Sequence, residues 1–263
     1  MTAKIGIATA SLFPLHTETA LLQVAKLGVK NVEIFLNSPS ELVGEVFMSM
    51  QDTIRDYNLN IMALHPFSSP METLYLFSAY DRRVTEILDL YERYFAAMER
   101  LGARIFVIHG AFTTAKCSDA LYIERVSLLT ETARRHGVTV AQENVCYCKS
   151  GALDFLCMMK TALGDSAAFV LDLKQVRRVG GNPLDYVDAL GDSIIHLHLS
   201  DCTADDDCVR IGKGEYDFLT LFKRLEQSGF SGGGVVELYR ENYGEYSELR
   251  ESVEFLENLL KNA

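Results

Sequence analysis

The chain has 263 residues, 48% of them hydrophobic and 23% charged, with a formal net charge of −11. That acidic balance argues against a nucleic-acid partner, which needs clustered Lys and Arg to neutralise phosphates, and no apolar stretch of the sequence is long enough to cross a membrane. Length and composition fit one globular domain over residues 1–263, close to the roughly 250 residues typical of a (β/α)8 barrel.

At the amino terminus, Met1-Thr2-Ala3-Lys4 leads straight into the strand-like Ile5-Gly6-Ile7-Ala8, with no signal-peptide pattern. Six cysteines without a secretory signal read as free thiols in a reducing compartment, so a cytoplasmic location is expected. The first strand spans 4–9 and its helix 19–27, stopped by Gly28. A second strand covers 31–36, and a helix follows from near Ser40 with Leu42, Val46 and Ile54 on its apolar side. The third strand, 60–65, ends at Pro66 and leads through a longer loop to a helix over 81–101 closed by Gly102. The fourth strand, 104–109, ends at Gly110, and its helix extends to His136-Gly137.

The fifth strand ends at Glu143 and precedes a helix around 153–159; the sixth ends at Asp172, and Pro183 opens its short helix, Pro being well placed in a first turn. The seventh runs over 194–198, with a long polar loop before a helix at 218–225. The eighth covers 234–238 and the terminal helix about 245–260. Eight strands alternating strictly with eight helices imply right-handed crossovers and a parallel sheet closed into a (β/α)8 TIM barrel. No Gly-x-Gly-x-x-Gly follows the first strand, which weakens a dinucleotide-binding reading.

Four of these strand ends carry an acid or an imidazole: Glu143, Asp172, His198 and Glu237, at intervals of 29, 26 and 39 positions, close to a strand-helix repeat. A charged group at the end of a buried strand is costly unless paired, and one divalent cation would pair all four. Side chains two apart share a strand face, so Ala63 lies below His65, Val107 below His109, Ala141 below Glu143, Val170 below Asp172 and Val235 below Glu237, as in a filled barrel with a reactive upper layer. Two Glu, one Asp and one His suit Mn²⁺ first and Zn²⁺ second, with Mg²⁺ and Co²⁺ also accommodated. Any one of these acids taken alone reads equally well as a strand-end ion pair.

The order Glu-Asn after the fifth strand, Leu-Asp after the sixth, His-x-His-x-Ser-Asp at the seventh, Gly-Lys-Gly-Glu-x-Asp-Phe in the next loop and a final Val-Glu resembles the xylose isomerase-like TIM barrels. These are the sugar phosphate isomerase/epimerase group, with ketose 3-epimerases, inosose dehydratases and, distantly, endonuclease IV. The resemblance implies that Glu143, Asp172, His198 and Glu237 bind one divalent cation and that Glu143 and Glu237 exchange protons with a sugar or sugar phosphate. It implies a metal-dependent isomerase or epimerase; an inosose-type dehydratase and a non-catalytic sugar-binding barrel are the alternatives. Family members commonly carry histidine where Gln175 stands, and the loop Asp205-Asp206-Asp207-Cys208-Val209-Arg210 lacks the histidine of the endonuclease branch. Both departures argue against DNA repair.

His65 and His109 match family histidines that contact substrate oxygens or hold a second metal; as packing groups they would be hydrogen-bonded imidazoles in the barrel top. Gln175 is expected to hydrogen-bond a substrate hydroxyl. His196, deeper on the same face as His198, is assigned to packing, and Glu33 to orienting one of these groups. Arg210 and Lys213, in a glycine-bearing loop after strand seven, either bind a phosphorylated or polyol substrate or form a solvated turn. Cys146, Cys148, Cys202 and Cys208 allow a thiolate zinc site but read better as free thiols. Phe13, Phe35, Phe67 and Tyr239 are candidates for a pocket wall, and a homo-oligomer is left open.

Overall fold

A computed structural model of the protein describes residues 3–67 and 69–261; Met1, Thr2 and Ser68, which fall in the expected amino-terminal run and the loop after the third strand, lie outside them. In chain order come β1 (Lys4–Ala8), α1 (Thr17–Lys26), β2 (Asn31–Leu36), α2 (Gly44–Tyr57), β3 (Asn60–Pro66), a single turn α3 (Ser69–Met71) and α4 (Asp81–Leu101). They are followed by β4 (Ile105–Ile108), α5 (Asp119–Arg134), β5 (Thr139–Glu143), α6 (Leu153–Leu163), β6 (Phe169–Asp172), α7 (Leu173–Arg178) and α8 (Pro183–Leu190). The last elements are β7 (Ile194–Leu199), α9 (Phe218–Gln227), β8 (Gly233–Val236) and α10 (Ser247–Lys261). The strands pair in sequence order, all parallel, and β8 pairs back onto β1, giving a closed (β/α)8 barrel.

Two layers of apolar side chains hold it together. The larger core lies between strands and helices, with Tyr91, Tyr122, Phe47, Phe95, Phe106 and Phe169 among its fully buried side chains. Inside the barrel is a separate cluster of small groups, Ala63, Val107, Ala141, Ala168 and Val170. Because side chains alternate along a strand, His65, His109, Glu143 and Asp172 stand one layer above Ala63, Val107, Ala141 and Val170. The polar groups therefore gather at the carboxyl ends of the strands, where the βα loops form a mouth.

Departures from the sequence expectation have local causes. β4 stops at Ile108, short of His109, because the Glu72 carboxylate takes the His109 and Gly110 N–H groups at 2.9 and 2.6 Å. β8 ends at Val236, before Leu238, whose N–H goes to Ser11 Oγ at 3.0 Å. Ahead of α2, a tight turn over Pro39–Leu42 is capped by Ser38, and the helix itself buries Phe47 and Met50, leaving Val46 and Ile54 half-buried. After β6 there are two helices where one was expected. Asp172 starts α7 at once by accepting the Gln175 N–H, and the chain is reset by Gly180, with φ +67°, before Pro183 opens α8.

Candidate active site at the barrel mouth

Glu143 ends β5, Asp172 ends β6, His198 lies beside Asp172 in register on β7, and Glu237 follows β8 directly. Their ligand atoms, one from each residue, all lie within 4.8 Å of one another, and all four side chains are buried. His198 Nδ1 faces Glu237 Oε2 at 3.4 Å, Glu143 Oε1 at 3.5 Å and Asp172 Oδ2 at 3.7 Å, and makes no hydrogen bond among the described residues. Its other nitrogen, Nε2, lies 3.1 Å from Glu33 Oε2. A carboxylate behind a histidine whose free nitrogen points at three acids is the arrangement that orients a metal-ligating imidazole. The four residues therefore form a set that could hold a divalent cation.

Glu33 is fully buried and also contacts His196 Nε2, at 3.0 Å, so the deeper histidine packs against the same acid. Its second oxygen lies 3.6 Å from His65 Nδ1. His65 Nε2 and His109 Nε2 are 2.6 Å apart, and His109 Nε2 is 3.2 Å from Glu143 Oε2. His65, His109 and Glu143 thus form a second group of ligand-type atoms within 4.8 Å, sharing Glu143 with the first.

Charge in this enclosed space is strongly coupled. Burial opposes the charged form of His198, yet Glu237, Glu33 and Glu143 hold its imidazole well above the usual range. Burial likewise favours a neutral Glu143, but the attraction of His198 and His109 keeps it well below the usual carboxylate range, and His198, His196 and His65 do the same for Glu33. The imidazoles thus favour the ionised form of Glu143.

Lys174 is the residue that sequence reasoning missed. Its side chain is only 5% exposed, and its ammonium contacts both Asp172 Oδ2 and Glu237 Oε2. Burial works against that charge, but Asp172, Glu237 and Glu143 outweigh it and keep the ammonium well above the ordinary lysine range. The available signal was a lysine two positions beyond a candidate ligand. On a continuing strand it would share the aspartate's face, and here the turn into α7 also brings it back to the acids. Neighbouring Gln175 accepts the Cys146 N–H at 3.1 Å, so its carbonyl oxygen serves the loop after β5 while the residue lines the mouth.

The mouth opens into a cavity of about 340 Å³ reached by His65, His109, Glu143, Lys174, Gln175 and Glu237. Phe13, Phe35, Phe67 and Tyr239 line its wall together with Tyr147 and Arg178, which the sequence did not single out. Arg178 donates to Asp207 Oδ2 at 2.5 Å and to the Tyr239 hydroxyl at 2.9 Å, fixing one side of the rim. A larger depression of about 660 Å³ sits by Thr139, Ala167 and Asp192 at the opposite end of the strands, away from these groups.

Arg210 and Lys213 do not line the mouth; they border a surface depression beside Tyr243 and Glu248. Arg210 is paired with Glu248 at 2.9 Å and Glu251 at 3.3 Å, and the glycine-bearing loop closes on Asp201, which accepts the Gly212, Gly214 and Tyr216 N–H groups at 3.0 Å each. The structure thus sets this pair apart from the cavity that the other candidate substrate-binding residues line, and three of the loop's amides are turned inward on a carboxylate. All six cysteines are free, and among the described residues none joins a group able to hold a metal. Burial raises the thiols of Cys146, Cys148, Cys202 and Cys208.

The sequence profile described as the xylose isomerase-like TIM barrel matches residues 21–259. The chain belongs to that family. An uncharacterized protein of Mycobacterium leprae is 24% identical over 98% of each chain. Among solved structures, the xylose isomerase-like barrel described here resembles a D-allulose 3-epimerase from Methylomonas sp. in complex with D-allulose, with a TM-score of 0.79 and 17% identity over 97% of this chain and 96% of that one. It also resembles the IolI protein with a bound zinc atom, with a TM-score of 0.76 and 19% identity over 98% and 97% of the two chains. At these identities the likeness establishes the fold.

Proposed function

We propose that this barrel is a sugar or sugar phosphate isomerase or epimerase that moves a proton at the carbon next to a carbonyl, with one divalent cation bound by Glu143, Asp172, His198 and Glu237. The observation that carries the reading is the convergence of those four ligand atoms within 4.8 Å at the floor of a cavity of about 340 Å³. Similarity to a barrel solved with D-allulose and to one solved with zinc supports it. Mn²⁺ is the first choice for an oxygen-rich set with one imidazole, with Zn²⁺, Mg²⁺ and Co²⁺ as the alternatives.

When bound, the cation would polarise the carbonyl and make the adjacent C–H more acidic. Glu143, ending β5, takes the proton and later yields it to solvent; Glu237, beyond β8, returns to the other side a proton that it has taken from solvent, which inverts the carbon or, at the neighbouring carbon, interconverts aldose and ketose. His65 and His109 meet substrate hydroxyls, and Gln175 offers its amide to another. The aromatic wall of Phe13, Phe35, Phe67 and Tyr239 covers the apolar face of the sugar and keeps water from the reacting carbon. The free thiols favour a reducing, cytoplasmic setting.

The test is solvent exchange across a panel of ketoses and ketose phosphates in D2O with Mn²⁺. Substrate C–H should exchange for deuterium with the mass of the product otherwise unchanged, and Glu143→Gln should lower the rate by about 10²–10⁴-fold, the usual weight of a positioned acid or base. Exchange by the metal-free protein, or a product lighter by one water, would overturn this reading.

A further inference from the structure

Lys174 stands where an ion would be expected to compete. Asp172 caps α7 through Oδ1, which accepts the Gln175 N–H at 3.0 Å, and this leaves Oδ2 turned to the centre of the site. Asp172 Oδ2 and Glu237 Oε2 are the oxygens nearest His198 Nδ1 on those two acids, and both are also in contact with the Lys174 ammonium. Half of the four-residue ligand set is therefore already engaged by a charge carried on the chain itself. Four acids, Glu33, Glu143, Asp172 and Glu237, share this buried space, and beside the imidazoles of His198 and His109 the Lys174 ammonium offsets their repulsion and desolvation.

We infer that Lys174 is the resident cation of this site: its ammonium holds Asp172 and Glu237 together in the metal-free protein, and a divalent cation has to displace it to complete its coordination. The inference rests on the reading of the four residues as a cation site. The affinity for metal is then fixed by a competition inside the protein as well as by the ligands. The displaced ammonium remains at the mouth, since Lys174 lines the cavity.

The experiment compares wild type with Lys174→Met, which keeps a similar length and removes the charge. By isothermal titration, Mn²⁺ should bind the variant about tenfold or more tightly, because one opposing unit charge in contact with two ligand oxygens is gone. The melting temperature of the metal-free variant should fall below that of wild type and recover on adding Mn²⁺. Equal or weaker Mn²⁺ binding by the variant overturns the inference. If neither protein takes up Mn²⁺, the metal-dependent reading of the site falls, and the metal-free melts decide: a lower midpoint for Lys174→Met upholds Lys174 as the charge that holds the acids, an unchanged or higher one overturns it. Should the variant not fold, anomalous diffraction from wild-type crystals with Mn²⁺ reads the same point. An ion between the four ligands with the ammonium withdrawn from Asp172 and Glu237 upholds displacement, and an ammonium still in contact with both overturns it.

Discussion

Glu33 controls the site without facing the cavity. One of its oxygens meets both His196 Nε2, at 3.0 Å, and His198 Nε2, at 3.1 Å, so the His198 ring is pinned with Nδ1 toward Glu143, Asp172 and Glu237. A carboxylate in that place would fix the tautomer and raise the basicity of the nitrogen that the proposed cation takes. Glu33→Gln should therefore weaken Mn²⁺ binding by about 10–100-fold, measured by titration calorimetry, while the four ligands stay chemically intact. Affinity equal to wild type would show that packing alone orients His198. The four side chains that converge there were singled out from the chain because each interrupts an apolar run at a strand end, where only a partner makes a charge tolerable. Lys174 was not, since it interrupts no apolar run at a strand end, and its burial depends on the tertiary fact that α7 begins directly after the last residue of β6.

At the scale of elements, the junction between β4 and β5 is set by one buried amide. Gln142 Nε2 donates to the Ile108 and His109 carbonyls at 3.1 and 2.8 Å, and its oxygen accepts the Tyr122 hydroxyl of α5 at 2.6 Å. Gly110, with φ +93°, passes so close that an added Cβ would lie 2.0 Å from that hydroxyl. Tyr122→Phe leaves the Gln142 oxygen buried without its donor and should destabilise the protein by about 1–3 kcal/mol in urea unfolding; a change of a few tenths would mean that water replaces the phenol. Strand placement was legible from apolar runs and their Gly or Pro ends, and β2 and α4 fall on the expected residues. The ends of β4 and β8 were not, because Glu72 and Ser11 reach them from distant parts of the chain.

Over the whole molecule, the barrel is readable because alternation and count leave few topologies, whereas the loops are fixed by carboxylates that no periodicity reports. Asp201 under the glycine loop is one: it takes the Gly212 and Gly214 amides, and Arg210 and Lys213 border a depression away from the mouth. On the outer helical shell, His136 bridges Glu92 and Glu99 of α4 at 2.7 Å each. The hydrogen bond to Glu92, against a smaller effect of burial and with help from Glu99, raises the imidazole above 6.5. A raised value in the folded state means that this tie contributes its full stability below the unfolded value of about 6.5 and loses it as pH rises through the folded one. His136→Gln should lower the melting temperature by roughly 1–2 °C near pH 6, the scale of an exposed pair in a domain of this size, and leave it unchanged near pH 9. A pH-independent difference would assign the effect to packing.

The floor of the barrel bears on all of this. Ala63, Ala141 and Ala168 lie with Val107 and Val170 in the layer beneath the mouth, so the acids and imidazoles rest on a plinth with almost no side-chain freedom of its own. Such a base has few rotamers to exchange, and it fixes the height at which the reacting groups stand. The placement of those groups is thereby decided from underneath, by methyl groups that do not line the cavity.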